Sequence, residues 1–281
     1  MTSATPRLVQ VDDLQIYVLD AGTGPPVLLL HGFPDSLDLW RKVTPRLVAA
    51  GYRVVAPDLR GFGDSSAPQG RRHYAIDLVA REILALLERL GVREPVRIMG
   101  HDWGAAIAWY LASTSPARVT ASVVLSLGHP LEYARAGFEQ KRKGAYTLFW
   151  QLPGIAEAQL SRNEWAGLRR WARDHPDVDN CVRNLARAGR LTAGLNWYRA
   201  NVAGALFASW PQCAVRTLGV WSSDDHCLAE DQMRNSVRRM AAPWRYVRID
   251  DAAHWLPLDR PERIAAVAIE WFNEGRVARP G

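Results

Sequence analysis

The chain has few cysteines and no long apolar run, and these two absences exclude several protein classes. Its three cysteines, Cys181, Cys213 and Cys227, are scattered, with neither metal-ligand spacing nor a disulfide framework. No apolar run approaches the roughly 20 residues that a membrane-spanning helix needs. The first residues also lack the basic and apolar regions of a secretory signal. We therefore expect a cytoplasmic protein with no membrane partner and no metal site.

The charge of the chain is positive but dispersed. The net charge is +6, and the denser basic groups are residues 141–143 and the arginines near residue 170. A nucleic-acid partner would need a basic stripe interleaved with stacking aromatic residues, and neither group forms one. We therefore expect no nucleic-acid partner. With 281 residues and 48% hydrophobic content, the chain is long enough for one large α/β domain with an insertion.

The first part of the chain alternates strand and helix patterns. Short apolar runs typical of buried parallel strands are separated by segments with apolar residues at helical spacing, and two of these end at glycine. The predicted strands are residues 14–19, 27–30, 53–56, 95–99 and 119–127, and the predicted helices are residues 39–50, 76–90 and 105–111. This order indicates a mostly parallel sheet with helices on both faces.

The alternation stops near residue 131. Residues 131–212 are helical in composition and contain no good strand, whereas strand patterns return at residues 215–221 and 244–249. Such an insert would lie over the carboxyl ends of the strands, where parallel sheets bind ligands. We predict a core domain of residues 1–130 and 213–281 and a helical cap, or lid, of residues 131–212.

The motif Gly-His-Asp-Trp-Gly at residues 100–104 is the most informative stretch of the sequence. It lies between a predicted strand and a predicted helix, which is the context of a nucleophile elbow. An aspartate at the centre that attacks a saturated carbon would form an ordinary ester, which water can cleave. The alternative interpretation of Asp102 is a helix N-cap. We favour a nucleophile for epoxides or alkyl halides.

Cleaving the ester requires a base that activates water and an acid that orients the base, and the sequence offers candidates for both. His254 follows the last predicted strand, and the order Asp102, Asp225, His254 matches the chain order of nucleophile, acid and histidine in α/β-hydrolases. Neutral histidine can take a proton from water near pH 7. Either Asp224 or Asp225 could orient this histidine, because only one of two adjacent loop side chains can face it.

Two backbone groups and two tyrosines are candidates for binding negatively charged oxygen. The backbone N–H groups of Phe33, in a His-Gly-Phe-Pro turn, and of Trp103 would form an oxyanion hole. Opening an epoxide also needs a donor for the departing alkoxide, and tyrosine hydroxyls are suitable. Tyr146 and Tyr198 in the helical insert are the candidates. Taken alone, either tyrosine could equally be an aromatic residue that only packs in the core of the insert.

Together these motifs resemble the epoxide hydrolase branch of the α/β-hydrolase fold, which also holds haloalkane dehalogenases. The resemblance runs from about residue 14 to residue 272. It includes the His-Gly-x-Pro turn, the turn at residues 58–65, the nucleophile motif, and two segments of the insert at residues 146–154 and 195–199. The last two raise Tyr146 and Tyr198 to expected ring-opening donors. Alignment on Trp221 implies Asp225 as the acid, although Ser222 stands where the family usually has glycine.

The resulting hypothesis is a cofactor-independent epoxide hydrolase acting through an aspartyl ester. The expected substrate is a small epoxide, apolar or aromatic, and a homodimer is left open. A haloalkane dehalogenase is the nearest alternative, although Phe33 lacks the side-chain amide often found there. A non-catalytic ligand-binding protein is a third alternative.

Overall fold

An eight-stranded sheet runs through the structure, a computed structural model that describes residues 5–205 and 209–274. Its spatial order is β1-β2-β4-β3-β5-β6-β7-β8. Strand β2 is antiparallel to both its neighbours, and all the other neighbouring pairs are parallel. The strands are β1 Arg7–Val11, β2 Leu14–Ala21, β3 Pro26–Leu30, β4 Arg53–Pro57, β5 Val96–His101, β6 Val119–Leu125, β7 Thr217–Ser222 and β8 Trp244–Ile249.

The central strands are apolar because both faces of the sheet are covered. Every residue of β3 is buried, and so is every residue of β7. Continuous apolar sequence is typical of such strands. At the edge of the sheet, β1 is mostly exposed. The sequence analysis missed β1 for this reason, since an exposed edge strand needs no apolar pattern.

Helices pack on both faces of this sheet. Helices α2 and α3 share one apolar cluster, which includes Ile83 and Ile107, while α1 and α12 share the other, which includes Leu47 and Ala268. The helices are α1 Thr44–Ala49, α2 Ile76–Arg89, α3 Trp103–Thr114, α4 Pro130–Arg135, α5 Phe138–Lys143, α6 Tyr146–Phe149, α7 Ile155–Trp171, α8 Val178–Leu185, α9 Arg190–Ala205, α10 Glu230–Arg234, α11 Leu256–Asp259 and α12 Pro261–Glu274.

One predicted helix is divided in the structure. Residues 39–50 were expected to form a single helix, but a 3₁₀ turn at Leu37–Trp40 precedes α1 at Thr44–Ala49. Pro45 lies in the first turn of α1. Proline has no N–H to donate and is tolerated only at the start of a helix, so the helical pattern cannot run through it.

Helices α4 to α9 all lie between β6 and β7. The part of residues 131–212 that the structure describes is helical and contains no named strand. Helix α7 has a kink with non-helical backbone at residues 162–165. None of the described helices is long and apolar enough to cross a membrane. The division into core and cap domains stays a prediction.

Candidate active site

Asp102 lies at a sharp turn between β5 and α3. Its φ of 51° and ψ of −119° are strained for an aspartate and place it at the carboxyl edge of the sheet. The turn needs the glycine that follows Trp103, because a Cβ on Gly104 would lie 2.0 Å from the backbone oxygen of Leu30. The strand, strained turn and helix together form the geometry expected of a nucleophile elbow.

Two backbone N–H groups bind the Asp102 carboxylate. The N–H of Phe33 donates to Oδ2 of Asp102 at 3.1 Å, and the N–H of Trp103 also donates to this side chain. Burial raises the pKa of Asp102 to about 6, although the nearby His254 and the two N–H donors oppose the rise. The predicted oxyanion-hole donors therefore lie beside the predicted nucleophile.

His254 and Asp225 form a buried hydrogen-bonded pair. Nδ1 of His254 lies 2.8 Å from Oδ2 of Asp225, and both side chains are almost fully buried. The other carboxylate oxygen of Asp225 accepts hydrogen bonds from the backbone N–H groups of Cys227 and Leu228, each at 2.8 Å. Asp224 is exposed and accepts a hydrogen bond from Ser223 instead. Of the two adjacent aspartates, the structure thus brings Asp225 to the histidine.

Opposing effects set the proton affinities of this pair. Burial alone would lower the pKa of His254, but the charge and hydrogen bond of Asp225, together with the charge of Asp102, raise it above its ordinary value. Burial alone would raise the pKa of Asp225, but His254 and the two backbone N–H groups hold it below its ordinary value. Asp225 is therefore ionised at neutral pH and stabilises a proton on the imidazole.

Tyr146 and Tyr198 line the same cavity as Asp102. This cavity has a volume of about 340 Å³. The two tyrosine rings lie 6.3 Å apart between centroids. Burial raises the pKa of both hydroxyls well above their usual value, so both remain protonated donors. The other lining side chains are mainly apolar or aromatic, including Ala106, Tyr110, Leu127, Pro130, Tyr133, Val202, Trp210 and Leu228.

Within residues 5–205 and 209–274, two groups of side chains combine the atom types that bind metals. The first is Asp225, Cys227 and His254, and the second is Asp35, His175 and Cys181, all buried. In the first, the Asp225 oxygens already accept hydrogen bonds, and burial raises the pKa of the Cys227 thiol well above its usual value. In the second, Nδ1 of His175 accepts a backbone N–H, which leaves a proton on Nε2, 3.0 Å from Asp35. In the first group the donor atoms are thus engaged in the pairing of acid and histidine, and in the second they are engaged in a buried hydrogen bond between His175 and Asp35.

Comparison with known proteins shows the family of the chain. The alpha/beta hydrolase fold family matches residues 25–261. A protein of Bacillus subtilis named AB hydrolase superfamily protein YfhM is 32% identical, covering 95% of this chain and 97% of its own. Epoxide hydrolase A of Mycobacterium tuberculosis is 30% identical, and the match covers 97% of this chain and 98% of that protein. The chain belongs to the alpha/beta hydrolase fold family, in its epoxide hydrolase branch.

Solved structures of this branch share the fold over nearly the whole chain. Epoxide hydrolase A from Mycobacterium thermoresistibile has a TM-score of 0.83 at 27% identity, covering 96% of this chain and 98% of its own. An epoxide hydrolase from Vigna radiata has a TM-score of 0.83 at 28% identity, and the match covers 98% of this chain and 99% of that one. The predicted α/β-hydrolase fold and the resemblance to epoxide hydrolases are confirmed.

The branch motifs in the insert link the two tyrosine-bearing helices. Nε2 of Gln151 donates to the backbone oxygens of Thr147, beside Tyr146, and of Tyr198, at 3.0 and 3.3 Å. The guanidinium of Arg199 donates to the backbone oxygen of Trp150 and to Glu157. The glutamine and arginine of the two motifs therefore fix the relative positions of the tyrosines.

Ser222, the departure from the branch pattern, has a structural role in this chain. Its hydroxyl donates to the backbone oxygen of Ala253 at 2.7 Å. This bond joins the loop that carries Asp225 to the loop that carries His254. Serine at this position is thus compatible with the pairing of acid and histidine.

Sequence reasoning assigned no role to His101, the last residue of β5, which directly precedes Asp102. Its Nε2 donates to the backbone oxygen of His254 at 2.9 Å, and the hydroxyl of Ser126 donates to the same oxygen at 3.0 Å. Burial lowers the pKa of His101 to about 3, so this imidazole is neutral. His101 and Ser126 therefore fix the backbone of the histidine loop. The only sequence signal was the position of His101 inside the nucleophile motif.

Proposed function

We propose that this protein hydrolyses epoxides to vicinal diols through an ester formed on Asp102. The observation that carries the proposal is the shared cavity of the Asp102 carboxylate and the hydroxyl-bearing rings of Tyr146 and Tyr198. A carboxylate that shares a cavity with two neutral donors suits an epoxide, whose carbon is attacked while its oxygen becomes an alkoxide. The curated relatives named epoxide hydrolases support the same substrate class.

In the first step, a carboxylate oxygen of Asp102 attacks one carbon of the epoxide ring. The bond between that carbon and the ring oxygen breaks, and the oxygen keeps the electron pair. Tyr146 and Tyr198 hydrogen-bond this oxygen, and one of them transfers its proton to it. Their raised pKa values keep both tyrosines protonated until the alkoxide develops. The product is a hydroxyalkyl ester of Asp102.

In the second step, neutral His254 takes a proton from water as the water oxygen attacks the ester carbonyl carbon. The tetrahedral intermediate carries an oxyanion, which the N–H groups of Phe33 and Trp103 bind. Collapse of the intermediate breaks the bond between the carbonyl carbon and the alcohol oxygen. One proton from the water reaches the leaving alcohol and the other restores the tyrosine, so that the reaction is balanced as epoxide plus water.

Residues 131–212 act as the cap of this site in the same proposal. Tyr146 on α6 and Tyr198 on α9 come from this segment, while Asp102, Asp225 and His254 come from the sheet and its loops. Nζ of Lys143, on α5, donates to the backbone oxygen of Asp225 at 2.6 Å. Contacts of this kind support a cap held against the catalytic loops rather than an independent domain.

Oxygen labelling tests the covalent route. The protein is run through many turnovers in heavy-oxygen water, digested, and its peptides are weighed by mass spectrometry. The label should enter the peptide that holds Asp102, because each cycle replaces a carboxylate oxygen with one from water. The peptide that holds Asp58, a buried aspartate outside the cavity, serves as the control. An active enzyme with an unlabelled Asp102 would exclude the ester mechanism.

Haloalkane dehalogenation remains the second candidate because it would use the same nucleophile and base. It needs donors for a halide. Trp103, which lines the cavity, could provide one, but Phe33 has an aromatic ring in place of the side-chain amide often found there, and the two tyrosines favour an epoxide. A halide-release assay with chlorinated and brominated alkanes separates the two activities. A non-catalytic binding role predicts a ligand recovered unchanged after long incubation. The cytoplasmic location and the oligomeric state stay predictions.

A further inference from the structure

The large apolar side chains that the described part of the chain exposes are concentrated in one segment. Seven such side chains are exposed, and five of them fall within residues 138–155. They are Phe138, Leu148, Phe149, Leu152 and Ile155, and the remaining two are Leu8 and Val237. Single exposed apolar residues need no explanation, but a contiguous group on one element indicates a binding surface.

Four of these side chains lie on successive turns of one short stretch of chain. The N–H of Leu152 donates to the backbone oxygen of Phe149, and the N–H of Ala156 donates to that of Leu152. Leu148 and Phe149 lie on α6, Leu152 lies in the turn that follows it, and Ile155 begins α7. These four residues, here called the cap patch, are thus exposed within residues 148–155. The exposed fractions of Leu148 and Ile155 are 70% and 56%.

The opposite face of the same stretch belongs to the substrate cavity. Tyr146 and Thr147 line the cavity, and Trp150 is buried beneath them. An amphipathic cap helix normally presents a polar face to water. Here both faces are apolar, because one face lines the cavity and the other carries the cap patch.

The exposed charges in residues 135–142, the stretch of chain that leads into the cap patch, are mostly positive. Arg135, Lys141 and Arg142 are exposed, and none of them forms an ion pair with an acidic side chain of the described residues. The nearby Glu139 is paired with Lys143. A partner that covers the patch would therefore need an apolar region for the exposed side chains and negative charges for the unpaired cations.

We propose that the cap patch docks on an anionic lipid bilayer. Leu148, Phe149, Leu152 and Ile155 would enter the boundary of the acyl chains, and Arg135, Lys141 and Arg142 would contact the acidic headgroups. A second copy of the chain fits less well, because a two-fold contact would bring the same cations of both copies together. This proposal differs from the expectation of no membrane partner, which considered only spanning segments. It goes beyond the proposed activity and does not depend on it.

Vesicle co-sedimentation of the whole protein tests the proposal. Phosphatidylcholine vesicles are compared with vesicles that also hold about 30% phosphatidylglycerol. We expect binding to the anionic vesicles, little binding to the neutral ones, and weaker binding as salt is added. Leu148→Ser/Leu152→Ser should reduce the binding constant more than tenfold. Lys141→Gln/Arg142→Gln should reduce it by about fivefold for each lost cation.

Matched control variants test whether the loss of binding is specific to the cap patch and its neighbouring cations. Leu8→Ser/Val237→Ser removes two exposed apolar side chains elsewhere, and Arg89→Gln/Arg93→Gln removes two exposed arginines elsewhere. Both controls should bind like the unaltered protein. Absence of binding to anionic vesicles, or equal losses in the controls, would overturn the proposal. So would a dimer in sedimentation velocity that Leu148→Ser/Leu152→Ser dissociates, because the patch would then be an interface between copies of this chain.

Discussion

The backbone N–H of Phe33 and Oδ2 of Asp102 are 3.1 Å apart, which places one oxygen of the proposed nucleophile in the proposed oxyanion hole. The same donor can therefore bind the resting carboxylate and, later, the tetrahedral oxyanion. The N–H of Phe33 holds Oδ2, and the N–H of Trp103 also stabilises the charge of this carboxylate. This contact fixes the position of the nucleophile before the substrate arrives.

Gly32→Ala should disturb this contact. A Cβ at residue 32 would lie 2.5 Å from Cβ and 2.6 Å from Oδ2 of Asp102, much closer than atoms pack. We expect kcat to fall by at least about 100-fold, a cost in the range of losing an oxyanion-hole donor. Gly137→Ala, where the nearest atom to a new Cβ is 3.6 Å away, is the control and should keep its activity. Unchanged activity in Gly32→Ala would mean that this contact does not position the nucleophile.

His254→Gln should trap the covalent ester. Without a base to activate water, alkylation of Asp102 can proceed while hydrolysis slows by about 100-fold or more. Intact-protein mass spectrometry should show one added mass of the epoxide after mixing. In Asp102→Asn/His254→Gln this addition should disappear. If the adduct forms equally in both variants, the substrate is attached to another side chain.

Tyr146→Phe and Tyr198→Phe should each lower the rate of ring opening. Each removes one donor to the developing alkoxide, so we expect about a 10- to 100-fold loss in kcat/KM, and a larger loss in the double variant. Tyr110→Phe is the control, because Tyr110 also lines the cavity but has no proposed donor role. Rapid quenching followed by intact-protein mass spectrometry of the ester can measure alkylation directly. Equal effects at Tyr110 would point to packing rather than proton donation.

The two half-reactions should depend on pH in different ways. Alkylation requires ionised Asp102, whose pKa is raised to about 6, so its rate should fall about tenfold per pH unit below that value. Hydrolysis requires neutral His254, whose pKa is raised, so it should still increase with pH after alkylation has levelled off. The tyrosine hydroxyls stay protonated throughout this range. Rapid-mixing kinetics of each phase against pH would check the order, and coincident profiles would contradict it.

The sequence could predict those residues of the candidate site that lie in recognisable local motifs. Asp102 could be predicted because a strand, small flanking residues and a helix surround it. His254 could be predicted from its place after the last strand. His101 could not, because its partner is the backbone oxygen of His254, and 153 positions separate the two residues. The same holds for Gln151, whose contact with Tyr198 exists only after α6 and α9 pack together.

The fold shows a similar division. Strands such as β3 are apolar throughout and could be recognised from composition. Strand β1 could not, since it pairs only with β2 and exposes most of its residues. The residues alone left Asp224 and Asp225 open, because only the fold determines which of two adjacent loop side chains points inward. Alignment with the family, rather than local pattern, selected Asp225.

The ion pair of Arg60 and Glu82 should matter for stability rather than for catalysis. Both side chains are 4% exposed, and Arg60 lies in the turn at residues 58–65 that the sequence analysis associated with the family. Arg60→Met would leave a buried carboxylate without its cation, which typically costs about 3–5 kcal/mol of unfolding free energy. Arg60→Met/Glu82→Met should recover most of that loss. Arg81→Gln, which breaks an exposed pair with Asp77, should cost less than about 0.5 kcal/mol.

The pH dependence of this loss distinguishes a buried charge from a packing defect. Burial raises the pKa of Glu82, and without Arg60 it should rise further, above the value in the unfolded chain. Such a group destabilises the folded state only where it is ionised, so the difference between Arg60→Met and the unaltered protein should shrink as pH falls through the raised pKa. Urea unfolding at several pH values measures this difference. A loss that is constant with pH would show that Arg60→Met acts through packing, and that the charge of Glu82 has no part in it.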